Sequence, residues 1–391
     1  MMQVASPRVN GSATMRALCA CTGLDPDDLT IEEIGDRLVE IANWDELIQR
    51  AEQNGLAPLV YWHARRIARP IPTKNVLTLR ALYTRNRHLS EIRFATLANV
   101  LQRLEAQGMR LLVLKGAALA NLIYPEPGLR PMGDLDVLVD PRHLDQAVKV
   151  LGDLGFTTVA KTEGLGDKHV VFTANVNGTV VRLELHHRLY SPGSRSKAEA
   201  SDPPERGLQF SVCGWPGATL PPEAFLGHIC NHLVGHTTVF LGVRLIWVAD
   251  IIGFADHFAE TIDWDRVASK QPMVLKVLSL LNAICPLPGK LLRAAPVRLG
   301  RTDSYRWGDF DGWPRASLAS FRVSGKGYRR VAVDTFFPPT WWLRLHSGLA
   351  SSDPLWPRRW VLHPLDMLGL TLRVVRERAE LAARKVTHGS G

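Results

Sequence analysis

The fold of this 391-residue chain is decided by residues 111–140, LLVLKGAALANLIYPEPGLRPMGDLDVLVD. An apolar run ends in Lys115-Gly116, a Pro/Gly-rich loop carries Arg130, and a second apolar run begins with Asp134 and Asp136. Side chains of a strand alternate between its faces, so the two aspartates project to one side. Two such charges repel unless a cation lies between them, and Mg²⁺ takes one or two carboxylates together with substrate phosphates. The stretch therefore predicts a magnesium site at the start of a strand.

The residues that follow predict further strands and a helix. Pro141 is placed to open a helix that ends near Gly155, and HVVFTAN and TVVRLELHH read as strands joined by Asn177-Gly178, a type I′ hairpin signal. In the second strand Glu184 and His186 share one face. If this strand lies beside the aspartate strand, Glu184 becomes a candidate third carboxylate. His186 could then line the site, by orienting a ligand or acting as a base, or it could be a surface residue.

Helical periodicity and turn signals divide the chain into four parts. We predict a disordered tail at residues 1–12, a helical N-terminal region at 13–110, an α/β domain at 111–220 and a mainly helical C-terminal region at 221–391. The predicted fold class is α+β, with one small mixed sheet flanked by helical regions.

Composition limits the partners and the compartment. A net charge of +9 favours polyanionic partners, namely nucleotides, nucleic acid or acidic membranes. The five cysteines lack paired CxxC spacing, which argues for a reducing cytosol and against a disulfide framework or a structural zinc site. Neither a signal peptide nor an apolar run of about 18 residues is present, so we expect a soluble cytoplasmic protein without a membrane span.

Three histidines recur at helical spacing in AFLGHICNHLVGH. His228, His232 and His236 fall on one helix face, where they could bind zinc, line the site or simply pack. The Glu that follows the first His in zinc proteases is missing, and His232 could equally meet the nucleotide or the acceptor. These interpretations stay open at this point.

The segment VLKGAALANLIYPEPGLRPMGDLDVLVD, followed by a helix, Gly155-Phe156 and LELHHRL, resembles the bacterial uncharacterised nucleotidyltransferase family of the polymerase-β-like superfamily. The resemblance covers roughly residues 111–189. It implies a polymerase-β-like mixed sheet and transfer of a nucleoside monophosphate from an NTP, for which we expect ATP, with one or two Mg²⁺ ions. Asp134 and Asp136 match the D-x-D motif and Glu184 stands where a third acid is expected, so the resemblance makes these three the catalytic residues and metal ligands.

The superfamily usually opens its site with a Gly-Ser pair, whereas this chain has Lys115-Gly116-Ala117. A glycine at a strand-to-helix turn still exposes helix N–H groups to phosphate, and Lys115 adds a point charge. Arg130 could bind the triphosphate as a bidentate donor. The expected nucleotide contacts are therefore Lys115, Gly116, Arg130 and Gly133.

The acceptor is open among a small molecule, a sugar, a peptide and a protein. Members of the resembling family occur near polysaccharide and peptide natural-product biosynthesis genes, which implies a hydroxyl or phosphate acceptor in such a pathway. The basic charge also permits a toxin-like or tRNA-modifying nucleotidyltransferase, with nucleic acid as a partner. A third reading is a non-catalytic nucleotide- or RNA-binding protein, although a binding module has no need for a repelling carboxylate cluster.

Overall fold

The structure is a computed structural model that describes residues 13–24, 28–159, 169–189, 207–239, 243–296, 329, 333, 335–347, 349, 353–369, 372 and 376. The predicted tail at residues 1–12 lies outside the described residues. The chain forms two compact units, Met1–His232 with Arg244–Arg298, and Leu233–Val243 with Leu299–Gly391. The predicted boundaries at residues 110 and 220 stay predictions.

Helices occupy the chain before the sheet, as predicted. The side chain of Asn43 accepts from the Glu46 N–H and thereby caps the third helix, and Pro58 occupies the first turn of the fourth. The fifth helix is 33 residues long and holds the loop before the aspartate strand, because Asn86 Nδ2 donates to the Gly128 carbonyl at 2.6 Å. The bounds are α1 Ala13–Ala20, α2 Asp28–Val39, α3 Trp44–Gln53, α4 Ala57–Ala64 and α5 Thr73–Glu105.

A five-stranded mixed sheet forms the centre of the first unit. Its strands are β1 Leu111–Leu114, β2 Asp134–Val139, β3 Thr157–Thr158, β4 His169–Val176 and β5 Thr179–His186, in the order β1-β2-β5-β4-β3. Strands β2 and β5 are parallel, and the other neighbours are antiparallel. The predicted α+β class with a mixed sheet is therefore confirmed.

The connections of the sheet follow the turn chemistry of the sequence. Asn177 and Gly178 have φ values of 51° and 77°, as the predicted type I′ turn requires. Helix α6 covers Lys115–Leu122, and a 3₁₀ turn at Pro127–Leu129 precedes β2. The helix predicted from Pro141 starts as a 3₁₀ turn, Pro141–His143, and continues as α7, Leu144–Asp153.

Residues 207–296, described except for 240–242, add a short hairpin and five helices. The hairpin pairs β6 Gln209–Val212 with β7 Trp215–Ala218, and the helices are α8 Pro222–Val239, α9 Leu245–His257, α10 Trp264–Lys270, α11 Pro272–Ile284 and α12 Gly289–Ala294. Helix α9 is buried almost throughout; Asp250 is buried among its apolar residues, and a second acid, Asp256, stands near its C-terminal end. Within the described ranges, no helix has both the length and the apolar character that a membrane crossing needs.

The second unit includes α13, Thr340–Ser347, and a π-helix at Arg358–Leu362. Trp342 Nε1 donates to the Thr237 carbonyl at 2.9 Å, and Thr237 Oγ1 lies 3.2 Å from His346 Nε2. These bonds attach α13 to the end of α8 that belongs to the same unit.

Candidate active site

Acidic residues of two neighbouring strands lie side by side in the sheet. The parallel pairing of β2 and β5 places Asp136 opposite Glu184 and Asp134 opposite Arg182. Asp136 and Glu184 are buried, whereas Asp134 is partly exposed at the start of its strand. The expected adjacency of the aspartate strand and the Glu184 strand is confirmed, because β2 and β5 are hydrogen-bonded neighbours.

Asp136 is enclosed by two protein partners. Its Oδ1 atom lies 2.6 Å from Lys115 Nζ and 2.9 Å from His186 Nε2. Burial acts to raise the pKa of Asp136, but the Lys115 charge and the His186 contact outweigh it and hold that pKa far below its usual range. Asp136 is therefore ionised throughout the physiological pH range.

Lys115 stands at the turn from β1 into α6 with a φ of 47°. Left-handed backbone at a residue that carries a Cβ costs about 1–3 kcal/mol and persists only where the surroundings hold it. Burial acts to lower the pKa of Lys115, but Asp136 outweighs it and raises the pKa. The Lys-Gly pair was visible in the sequence, whereas this backbone geometry was not.

Asp134 differs from Asp136 in its electrostatic surroundings. Burial and the neighbouring charges of Asp136 and Glu184 raise the pKa of Asp134, although Lys115 and Arg130 oppose the shift. The negative charge at this end of the cluster is thus only partly compensated by the protein. An additional cation near Asp134 would reduce the repulsion among the three carboxylates.

A second arginine near Asp134 was not singled out from the sequence. Arg93 of α5 is buried; burial lowers its pKa, while the charge of Asp134 acts in the opposite direction. The sequence contained a signal for the burial of Arg93, because this residue stands between two apolar residues, Ile92 and Phe94, on the buried side of α5. Other arginines of this helix, such as Arg85 and Arg87, are exposed.

Arg130 is buried in the loop before β2 and held by α9. Its Nη2 and Nε atoms donate to the two oxygens of Asp250 at 2.7 and 3.2 Å, and Nη1 donates to the Pro131 carbonyl at 3.2 Å. Tyr124 donates its hydroxyl proton to the same carboxylate at 2.7 Å. Each nitrogen of the guanidinium has a protein acceptor, and a contact between Arg130 and nucleotide stays a prediction.

The two glycines of the predicted nucleotide contacts have different surroundings. A Cβ on Gly116 would lie 2.1 Å from Arg130 Nη1, so the guanidinium occupies the space that a side chain would need. A Cβ on Gly133 would meet nothing within 4 Å, and this residue is exposed next to Asp134. A side chain at position 116 would therefore displace the Arg130 guanidinium, whereas position 133 has space for one.

His186 lies at the centre of the described contacts. It is 1% exposed, and its Nε2 atom lies 3.6 Å from Glu184 Oε2 as well as 2.9 Å from Asp136. Burial and Asp136 act to raise the pKa of Glu184, but His186, Lys115 and Arg182 outweigh them and lower that pKa to about 2. His186 thus lies close to both acids, and its role in lining the substrate site stays a prediction.

His169 was missed by the sequence reasoning. It pairs with His186 across β4 and β5, and its Nε2 atom lies 3.9 Å from Glu184 Oε2. Among the described residues, His169, Glu184 and His186 form the group of three whose ligand atoms all lie within 4.8 Å of one another. The hairpin register could have indicated this pairing, because the Asn177-Gly178 turn sets which residues face each other.

His232 belongs to α8, where its ring makes an edge contact with Trp247 at a centroid distance of 5.7 Å. His228 on the same helix is buried. The three helical histidines do not appear as a metal-binding group among the described residues. A role for His232 in lining the substrate site stays a prediction.

Comparison with solved structures finds distant likenesses. An antigenic nucleotidyltransferase-like protein from Paracoccidioides brasiliensis is 16% identical, with 53% of this chain and 94% of that chain covered and a TM-score of 0.35. The antibiotic-resistance factor ANT(2'')-Ia is 15% identical in its solution structure, with 43% and 85% covered and a TM-score of 0.32. Its crystal structure in complex with adenylyl-2"-tobramycin is 14% identical, with 49% and 95% covered and a TM-score of 0.32. Likenesses at this level carry no argument about the chain.

Comparison with curated proteins finds no significant match. Comparison with protein families is decisive, because residues 40–285 match the family described as uncharacterised nucleotidyltransferase. The match covers more than half of the 391 residues and includes β2, β5 and the helices around them. The resemblance noted in the sequence is confirmed: the chain belongs to the uncharacterised nucleotidyltransferase family.

Proposed function

We propose that this nucleotidyltransferase moves a nucleoside monophosphate from an NTP, with ATP as the expected donor, to an acceptor hydroxyl or phosphate in a Mg²⁺-dependent reaction. The observation that carries the proposal is the register of β2 and β5, which aligns Asp136 with Glu184 beside the partly compensated Asp134. Family membership supports nucleotidyl transfer in general. The metal, the donor and the catalytic residues are our inference.

The chemistry of the donor set fits Mg²⁺. Asp134, Asp136 and Glu184 offer carboxylate oxygens, which this hard ion prefers, and the raised pKa of Asp134 marks uncompensated negative charge. We assign these three residues as catalytic residues and as ligands of one or two ions. When bound, Mg²⁺ neutralises phosphate charge and lowers the pKa of the attacking hydroxyl.

Protein cations complete the site. Lys115 keeps its proton, because Asp136 raises its pKa, and its ammonium is the proposed contact for phosphate oxygens. Gly116 and Gly133 are the proposed backbone contacts beside it, and Arg130 adds fixed positive charge close to Asp134. His186 positions both Asp136 and Glu184 through its Nε2 contacts.

The reaction that these groups support is an in-line displacement at the α-phosphorus. The acceptor oxygen forms a bond to that phosphorus, the bond to the bridging oxygen of the β-phosphate breaks, and pyrophosphate leaves with its electron pair. The proton of an acceptor hydroxyl is released to solvent or to a base. The ammonium of Lys115, together with the ions that the three carboxylates would hold, stabilises the negative charge that develops on the phosphate in the transition state.

The domains, the acceptor and the pathway are further parts of the proposal. We propose a helical region at 13–110, a nucleotidyltransferase domain at 111–220 and a helical region at 221–391, with His232 lining the acceptor side. The acceptor is a small molecule, sugar, peptide or protein of a cytoplasmic natural-product or polysaccharide pathway. The basic net charge keeps nucleic acid among the partners to be tested.

Mass spectrometry tests the proposal. Candidate acceptors of each class, including tRNA, are incubated with the protein, Mg²⁺ and each NTP in turn, and the products are searched for an added nucleoside monophosphate. We expect one acceptor class to gain this mass with wild type and not with Asp134→Asn. Equal products from both proteins would overturn the assignment of the acidic site.

A further inference from the structure

The hairpin formed by β4 and β5 brings two imidazoles and one carboxylate together beside the proposed magnesium site. His169 and His186 face each other across the hairpin, with ring centroids 5.0 Å apart, and Glu184 precedes His186 by two residues on the same face. Glu184 Oε2 lies 3.6 Å from His186 Nε2 and 3.9 Å from His169 Nε2. One carboxylate oxygen is therefore common to both rings.

These separations are close to those of a metal site. Tetrahedral Zn²⁺ with ligand bonds of about 2.0–2.2 Å keeps its ligand atoms about 3.4 Å apart. The two distances exceed this value by a few tenths of an ångström, so binding an ion would need only small rotations of the three side chains. All three ligand atoms already lie within 4.8 Å of one another.

The two imidazoles distinguish this group from the three acids, with which it shares Glu184. Imidazole nitrogen suits Zn²⁺ and similar transition ions, whereas Mg²⁺ prefers oxygen and usually keeps several waters. Two histidines and one glutamate also form the ligand set of catalytic zinc sites that leave a position open for water or substrate oxygen. The group therefore has the composition of a transition-metal site with room for one exogenous ligand.

The surroundings of His186 are compatible with such an ion. Its Nε2 atom now contacts Asp136 Oδ1 at 2.9 Å, so binding a metal through Nε2 replaces this contact or recruits Asp136 as a fourth ligand. His186 is 1% exposed and His169 is partly exposed, so of the two rings that of His169 is the one in contact with solvent.

We infer that His169, Glu184 and His186 bind one divalent transition ion, with Zn²⁺ as the reference case. This site shares Glu184 of β5 with the proposed magnesium site; His169 belongs to β4, whereas Asp134 and Asp136 belong to β2 on the other side of β5. Its occupancy does not depend on the proposed nucleotidyl transfer. In the competing interpretation the two histidines only compensate the charge of Glu184, and no ion binds.

The test measures metal binding directly, without substrate. Tag-free protein is treated with EDTA, desalted and titrated with Co²⁺ and with Zn²⁺ in excess Mg²⁺, which occupies sites built from oxygen alone. We expect one ion per chain, a visible Co²⁺ spectrum typical of nitrogen ligation, and at least about 100-fold weaker binding in His169→Ala. The matched control is His88→Ala on α5, where the histidine is exposed.

Three outcomes would overturn the inference. They are no binding in excess Mg²⁺, equal affinity of wild type and His169→Ala, and loss of binding in Asp134→Asn with retention in His169→Ala. Far-UV circular dichroism checks that each variant is folded. If His169→Ala does not fold, imidazole NMR of wild type decides, since Zn²⁺ must shift the ring signals of two histidines and Mg²⁺ must not. Because the readout is metal binding, failure here leaves the nucleotidyl transfer proposal untouched.

Discussion

Lys115 Nζ lies 2.6 Å from Asp136 Oδ1, so the buried aspartate of the D-x-D pair already has a counter-charge inside the protein. Asp134, two residues earlier, has an environment that raises its pKa. The two acids of one motif therefore differ in what they contribute to stability, although both are proposed to hold the same metal.

The stability of the metal-free protein should separate the two acids. Asp136→Asn removes the partner of a buried ammonium, and breaking such a pair costs about 3–5 kcal/mol. Asp134→Asn relieves repulsion from Asp136 and Glu184, so its free energy of unfolding should be unchanged or higher. Urea denaturation in EDTA at neutral pH measures both values. An equal loss of unfolding free energy in the two variants would contradict the difference between the environments of Asp134 and Asp136.

Nucleotidyl transfer should be lost in both variants. Each substitution keeps the shape of the side chain but removes a charge proposed to hold Mg²⁺, and losing one such electrostatic contact costs about 10²–10³ in rate. The measurement is transfer of labelled nucleotide to the acceptor found by mass spectrometry. Asp145→Asn on α7, at an exposed position, is the matched control and should keep full activity. Full transfer by Asp136→Asn would show that the aspartate strand has a structural role and not a catalytic one.

Lys115→Ala should weaken NTP binding more than it slows the bound chemistry. A point charge on phosphate acts in the ground state as well as in the transition state, so KM rises while kcat changes little. Steady-state kinetics with varied NTP gives both constants, and Lys149→Ala on the exposed side of α7 is the control. An unchanged NTP affinity would remove Lys115 from the nucleotide site.

Gly116→Ala should disturb the Arg130–Asp250 pair. The added methyl group would lie 2.1 Å from Arg130 Nη1, and the buried guanidinium must shift, at a cost of about 1–3 kcal/mol. Gly152→Ala in α7 meets nothing within 4 Å and should be neutral or stabilising by up to about 1 kcal/mol. Thermal and urea denaturation of the two variants provide the comparison. If the Gly116→Ala protein is as stable as the Gly152→Ala protein, the Arg130 guanidinium can move away from residue 116 without loss of stability.

Acid should destabilise the protein through His63. This residue is fully buried in α4, and burial lowers its pKa to about 4 from an ordinary value of 6.5. Between these values the unfolded chain binds the proton and the folded chain does not, so the contribution is complete above pH 6.5 and is lost as the pH falls to 4. The loss approaches about 3 kcal/mol, taking about 1.4 kcal/mol for each pH unit.

His63→Gln is the variant that checks this pH dependence, because glutamine does not titrate. The free energy of unfolding is measured in urea at pH 7 and pH 4.5 for both proteins. The difference between the two pH values should be smaller in the variant than in wild type. Identical pH dependence would show that His63 is protonated in the folded state.

Local sequence patterns were sufficient to predict the strands and the turn that form the site. Alternation in DLDVLV and TVVRLELH placed Asp134 with Asp136 and Glu184 with His186, since a strand has a fixed period of two. The Asn177-Gly178 turn predicted the hairpin, because both residues tolerate positive φ. The Lys-Gly pair at the end of β1 was equally visible as a candidate contact.

What the sequence by itself determined is thus the strands that carry the site, β2, β4 and β5, and the face on which each of their polar side chains lies, because both depend on neighbours within a few residues. The tertiary structure decided which strands pair, and so aligned Asp136 with Glu184 and His169 with His186. It also paired Arg130 with Asp250, 120 residues away along the chain, and Lys115 with Asp136. Such partners are chosen by the packing of distant elements and by the need to compensate each buried charge, which no local spacing encodes.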